Sequence, residues 1–131
     1  MAQPSLAGYS VLIIDDNDIL LHDYEAFLQP TGISVYTAKN GDDGIRLAQT
    51  HHPSLILLDL MLPGKNGIEV LEELKDIPAI CDIPVIVVTA LLEDKERDLC
   101  LKAGATDYLE KISIEPYQLI AKIRHTIKQP L

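Results

Sequence analysis

Continuous apolar runs alternate with helically spaced ones along almost the whole chain. Val11–Ile14, Leu55–Leu58 and Val85–Val88 are uninterrupted apolar stretches. Such stretches suit strands covered on both faces, the habit of parallel sheets. The predicted strands are Tyr9–Ile14, Ile33–Thr37, Leu55–Leu58, Val85–Val88 and Thr106–Leu109. Ile33–Thr37 alternates and Thr106–Leu109 is mixed in character, so these two are expected at the sheet edges. Residues 1–8, with Pro4 and Gly8, read as an N-terminal tail, residues 9–128 as one folded unit, and residues 129–131 as a C-terminal tail.

The segments between the strands have helical spacing. Leu20, Tyr24, Phe27 and Leu28 fall on one expected buried face before Pro30 and Gly32 stop the first helix, with Asp18 as its expected cap. Asp42–Gln49 reads as a second helix, and Gly67–Lys75, with Ile68, Leu71 and Leu74 on one side, as a third. In the fourth, Glu93–Lys102, acids open the first turn and Lys102 precedes Gly104. Pro116 opens a fifth, whose buried face is Leu119, Ile120, Ile123 and Ile127. The sum is a (βα)5 α/β chain: a doubly wound, five-stranded parallel sheet. With the two weaker strands at the edges, the order 2-1-3-4-5 follows, and right-handed crossovers put helices on both faces.

Such folds bind ligands at the carboxyl ends of their strands, beside the first strand. Strand one runs into Asp15-Asp16, strand three into Asp59, strand four into Thr89-Ala90 and strand five into Lys111. Three carboxylates packed together repel unless a cation joins them or one keeps its proton. A hard divalent ion answers that repulsion, and Mg²⁺ with retained waters suits a site of few carboxylates. Metal, ammonium and hydroxyl together make a receptor for a phosphoryl group. A central carboxylate, Asp59, is itself able to serve as the nucleophile and carry the group as an acyl phosphate. Any one of these residues alone would be read as a turn or cap residue. Their convergence from four separate segments is what points to chemistry.

Composition narrows the field. The 131 residues make one domain, and 20 acids against 11 bases give a net charge of −9. That balance argues against a phosphate-backbone surface, so no direct nucleic-acid binding is expected. The first basic residue is Lys39, which excludes a basic leader, and the apolar runs are too short to span a bilayer. A cytoplasmic protein without membrane contact is expected. Cys81 and Cys100 lack metal-ligand spacing and read as two buried, reduced thiols. His51-His52 falls at the opposite end of the sheet and reads as a solvated loop. Asp16-Asn17-Asp18 lacks the Gly and closing Glu of a calcium loop.

Four ordered blocks carry a resemblance: Ile13-Ile14-Asp15-Asp16-Asn17, Leu57 to Gly67 (LLDLMLPGKNG), Val87-Val88-Thr89-Ala90, and Lys102 to Lys111 (KAGATDYLEK). Over about residues 9–128 the chain resembles the receiver domain of two-component response regulators, of the single-domain chemotaxis type, with a flavodoxin-like fold. The resemblance implies a phosphoprotein of a two-component phosphorelay, a signalling switch rather than an enzyme with its own turnover. Asp59 is the implied phosphoacceptor. Asp15, Asp16, Asp59 and the Met61 backbone carbonyl are the implied Mg²⁺ ligands, Asp15 partly through water. Thr89, Lys111 and the Ala90 amide are implied to bind the phosphoryl oxygens, and Thr89 and Tyr108 to form the switch.

The implied donor is a histidine kinase or phosphotransfer protein. The implied output is a protein effector at the face of helix four, strand five and helix five, with a homodimer as a further option. An alternative reading is a receiver-like interaction module not controlled by phosphorylation. Met61 separates the chain from aspartate-nucleophile phosphatases, which need a second Asp there. The chain departs from the family where Ile112, not Pro, follows Lys111. A cis bond before a non-proline costs about 2.5–4 kcal/mol, so a trans Lys111–Ile112 bond and a rearranged loop are expected. Met61 and Leu91, two residues past Asp59 and Thr89, are apolar, so slow loss of the phosphoryl group is expected. The length leaves no room for an output domain, so the chain reads as a complete single-domain regulator or a receiver cut from a larger one.

Overall fold

The computed structural model describes residues 4–90, 93–111 and 114–128. The strands are β1 (Ser10–Ile14), β2 (Ser34–Ala38), β3 (Leu55–Leu58), β4 (Val85–Thr89) and β5 (Asp107–Glu110). The helices are α1 (Asp18–Leu28), α2 (Gly41–His51), α3 (Gly67–Asp76), α4 (Asp94–Lys102) and α5 (Pro116–Lys128). All four strand pairings are parallel, in the order β2-β1-β3-β4-β5. The alternating and mixed strands are the edges, because only the central strands are covered on both faces.

Successive residues of a strand point to opposite faces, and this divides the core in two. Val11, Ile13, Leu55, Leu57, Ile86 and Val88 pack with Leu21, Tyr24 and Leu28 of α1 and Leu119 and Ile123 of α5. Leu12, Ile14, Ile56, Leu58, Val85 and Val87 face Ile45 and Ala48 of α2, Val70, Leu71 and Leu74 of α3, and Cys100 of α4. β3 and β4 are buried along their whole lengths, as continuous apolar runs require.

Several local expectations are corrected. Asn17, not Asp18, caps α1: its side chain accepts from the Leu20 N–H at 3.1 Å. Phe27 is 38% exposed, because Leu21, Tyr24 and Leu28 define the buried stripe and Phe27 lies beyond its shoulder. Glu93 precedes α4 as its N-cap, without a side-chain cap bond. Cys81 is only half-buried, while Cys100 is buried, and both are free thiols. His51 is not in a loop: it ends α2 and stacks on Tyr36 with ring centroids 4.1 Å apart, and His52 follows as a left-handed C-cap. The segment before β1 is more than a tail. Leu6 is fully buried in the α1–α5 core, and its N–H donates to the Thr31 carbonyl at 2.7 Å. The Lys111–Ile112 bond and Leu91 lie outside the described residues.

Candidate functional site

The ladder itself delivers the acids. Just past β1, the Asp15 N–H donates to the Ala38 carbonyl at 2.9 Å. The Asp59 N–H, just past β3, donates to the Ile14 carbonyl at 3.0 Å. Asp15 and Asp59 are therefore neighbours across the central strand pair, held by backbone bonds that continue the sheet by one residue. Both residues are buried, at 3% and 4% exposure, whereas Asp16 is exposed. One carboxylate oxygen from each of Asp15, Asp16 and Asp59 falls in a group within 4.8 Å.

The two buried carboxylates are dressed alike. Asp15 Oδ1 accepts the Asn17 N–H at 3.0 Å, and Asp59 Oδ1 accepts the Met61 N–H at 3.2 Å. Each aspartate thus pins its own loop by a bond two residues ahead, a common Asx-turn arrangement. Lys111 Nζ lies 2.6 Å from Asp15 Oδ2 and 3.1 Å from Asp59 Oδ2. Lys111 is brought in by β5, its N–H donating to the Thr89 carbonyl at 2.9 Å.

One ammonium serves two buried carboxylates. Burial pushes the Asp59 carboxyl above its ordinary value; bonds from Met61 and Lys111 pull the other way, and Asp15 adds repulsion. Burial opposes the charge on Lys111, but its bonds to Asp15 and Asp59 outweigh that and raise its value. The pocket thus keeps uncompensated negative charge on hard oxygen donors. That donor set fits a small divalent cation, and the exposed Asp16 offers a carboxylate on the solvent side.

The remaining predicted residues ring this cluster. Thr89 closes β4 and is 2% exposed, with Ala90 exposed directly after it. Met61 is 75% exposed, its backbone turned to Asp59 through the N–H bond. Tyr108 is half-buried in β5, and the Arg97 guanidinium of α4 lies over its ring, 4.5 Å from the centroid. His51 and His52, at the far end of α2, take no part.

Three contributors escaped the reading of the sequence. Tyr24, read only as core, is raised by burial, and its phenol also senses Lys111, Asp15 and Asp59 from α1. Gly67, read only as the start of a helix, must be glycine because a Cβ there would lie 2.5 Å from Leu60 Cα and 2.6 Å from the Asp59 carbonyl oxygen. Asn66 and Glu69 form a capping box that fixes the start of the same helix, and the Asn-x-x-Glu spacing was the available signal.

The response regulator receiver domain family matches residues 11–124. The chain belongs to this family. Protein PilH of Pseudomonas aeruginosa is 35% identical over 101 residues, 77% of this chain and 84% of PilH. The probable transcriptional regulator ycf27 of Cyanophora paradoxa is 34% identical over 119 residues, 91% of this chain and 48% of its own length. The chain therefore spans about half the length of that relative. A receiver domain of a sensor histidine kinase from Pseudomonas aeruginosa, solved with a magnesium ion coordinated in its active-site cleft, superposes with a TM-score of 0.83. It is 29% identical, and the match covers 92% of this chain and 98% of that one. Among the described residues, no helix is long and apolar enough to cross a membrane.

Proposed function

We propose that residues 9–128 form a phospho-accepting receiver in which Asp59 takes a phosphoryl group from the phosphohistidine of a histidine kinase or phosphotransfer protein. The observation that carries this reading is the pair of buried carboxylates, Asp15 and Asp59, sharing the Lys111 ammonium beside the exposed Asp16. In the transfer, an Asp59 carboxylate oxygen forms a bond to phosphorus as the donor's N–P bond breaks. The electron pair returns to the donor imidazole, which takes up a proton.

Asp15, Asp16, Asp59 and the Met61 carbonyl would hold Mg²⁺, and a bound Mg²⁺ would neutralise charge on the transferring group. Lys111 supplies a positive charge already aimed at the Asp59 oxygen, so little reorganisation is required. The Thr89 hydroxyl and the Ala90 N–H would bind the remaining phosphoryl oxygens. The new group adds about −1.5 to −2 charges and three acceptor oxygens. As Thr89 turns to meet them, Tyr108 follows into the space released. The surface of α4, β5 and α5 then changes, and a protein effector reads it. Leu99 on α4 and Tyr117 on α5, 49% and 70% exposed, support that face as an apolar contact. This is a bias on two existing states, not the creation of a new one.

The test is incubation with Mg²⁺ and acetyl phosphate or beryllofluoride, comparing the native chain with Asp59→Asn. Asp59-dependent phosphorylation and a shift in the Tyr108 environment are expected. Loss of neither signal in Asp59→Asn, or no signal in the native chain, would favour an interaction module outside phosphate control. The apolar Met61 also predicts an acyl phosphate lasting minutes or longer, and decay within seconds would contradict that.

A further inference from the structure

The loop after Asp59 does more than connect β3 to α3. It carries Met61, whose N–H meets Asp59 Oδ1 at 3.2 Å. Its far end is tied down at Gly67, whose N–H donates to the Leu60 carbonyl at 2.9 Å. Between them lie Pro63 and Gly64, the latter at φ +74°, a sharp bend with no side chain to anchor it. The polar anchor of that middle stretch is Lys65. Its ammonium sits 2.7 Å from Asp42 Oδ1 at the start of α2 and 2.6 Å from Glu73 Oε1 in α3. One side chain thus pins the loop to two different helices. The Lys65 side chain is 31% exposed, and its partners Asp42 and Glu73 are 77% and 44% exposed.

We infer that Lys65 is a positioning residue for the phosphoryl site: by clamping the loop to α2 and α3, it sets the Met61 backbone against Asp59. The inference rests on the reading of Met61 and the three aspartates as a Mg²⁺ site. It goes further in naming a residue that touches neither metal nor phosphoryl group. A double ion pair at the surface is worth little to global stability, because water screens it and two long side chains must be held in one geometry. Its value is geometric, because it removes freedom from a loop that must present one carbonyl to one ion.

A merely electrostatic role makes the opposite prediction. Lys65 is a cation on the loop that leaves an acidic cluster, so as a bare charge it repels Mg²⁺, and its removal would tighten binding. As a clamp it favours Mg²⁺, and its removal weakens binding. Lys65→Met keeps much of the stem and deletes the charge, while Lys65→Arg keeps the charge and both partners.

The experiment is calorimetric titration of Mg²⁺ into the full chain, with hydrogen exchange at the Met61 amide measured by NMR without metal. Lys65→Met is expected to bind Mg²⁺ roughly threefold more weakly, about 0.6 kcal/mol, and Lys65→Arg to stay near the native value. The Met61 amide should exchange several-fold faster in Lys65→Met, with an unchanged amide spectrum in the sheet. Equal or tighter Mg²⁺ binding by Lys65→Met would overturn the inference. Should the native chain bind no Mg²⁺, the metal reading falls; unchanged Met61 exchange would then sink the clamp too, and faster exchange would uphold it.

Discussion

Lys111 lies closer to Asp15, at 2.6 Å, than to Asp59, at 3.1 Å. The cation proposed to bind the phosphoryl group is thus held most tightly by the neighbour of the proposed acceptor. A divalent ion that engages Asp15 would compete with this pairing and leave Lys111 free to follow charge arriving on Asp59.

Replacing Lys111 tests that balance. Lys111→Met leaves two buried carboxylates without their cation, and breaking a buried pair from one side costs about 3–5 kcal/mol. Because the Lys111 side chain is 18% exposed, a loss near 2–3 kcal/mol is expected without metal. Saturating Mg²⁺ should restore more stability to this variant than to the native chain. Thermal melts with and without Mg²⁺ measure both effects, and equal increments would refute the competition.

Asp59→Asn should stabilise the metal-free fold while abolishing phosphorylation. The folded-state Asp59 carboxyl titrates above its usual 3.8, chiefly through burial. Between 3.8 and that raised value the folded chain binds more protons than the unfolded one, so stability falls as pH rises through this window. The cost is in full force above the raised value and absent below 3.8. The variant should therefore melt above the native chain at neutral pH, with the gap closing in acid. A gap that widens as pH falls would contradict the sign.

Mg²⁺ should raise the melting temperature of the native chain and barely move that of Asp16→Asn. A ligand at a hundredfold excess over its Kd stabilises by about 2.7 kcal/mol. For a domain of this size that is roughly 10 °C. Asp16 is exposed, so its replacement should leave the metal-free melt almost unchanged. Scanning calorimetry separates the two effects, and a full Mg²⁺ shift in Asp16→Asn would remove that residue from the ligand set.

Gly67→Ala should be costly far beyond the size of a methyl group. The added Cβ would press within 2.6 Å of the backbone carbonyl oxygen of Asp59, where nothing flexible gives way. Overpacking of this kind costs about 1–3 kcal/mol. Displacement of the Asp59 backbone should also weaken Mg²⁺ binding. Denaturant melts and the metal titration check both, and a neutral variant would refute the tight fit at the β3–α3 junction.

The parts of the molecule that were legible in the sequence share a cause. Val11–Ile14, Leu55–Leu58 and Val85–Val88 announce strands because both faces are apolar, and the acids that follow them are placed by the ladder. The order β2-β1-β3-β4-β5 follows from which strands lack that double covering. What escaped was set by tertiary contact. Whether Phe27 or Leu21 faces inward depends on how α1 rolls against the sheet, which spacing leaves open by one position. Asn17 and Asp18 are both good caps by type, and the observed N–H bond to Asn17 decides between them. Leu6 looked like tail because its partner, Thr31, lies across the fold, and the ion pairs of Lys65 reach two helices that sequence distance does not connect.

The lysine of the pocket arrives by way of β5, which is joined to the sheet through β4 alone. The four strands β1, β2, β3 and β4 by themselves would set Asp15 and Asp59 side by side without the Lys111 ammonium. Lys111 is 52 residues beyond Asp59 and enters with the last strand. The ammonium of the pocket is therefore encoded after both carboxylates that it serves. On the phospho-acceptor reading proposed above, a chain ending before β5 would lack that charge and would be expected to accept a phosphoryl group poorly.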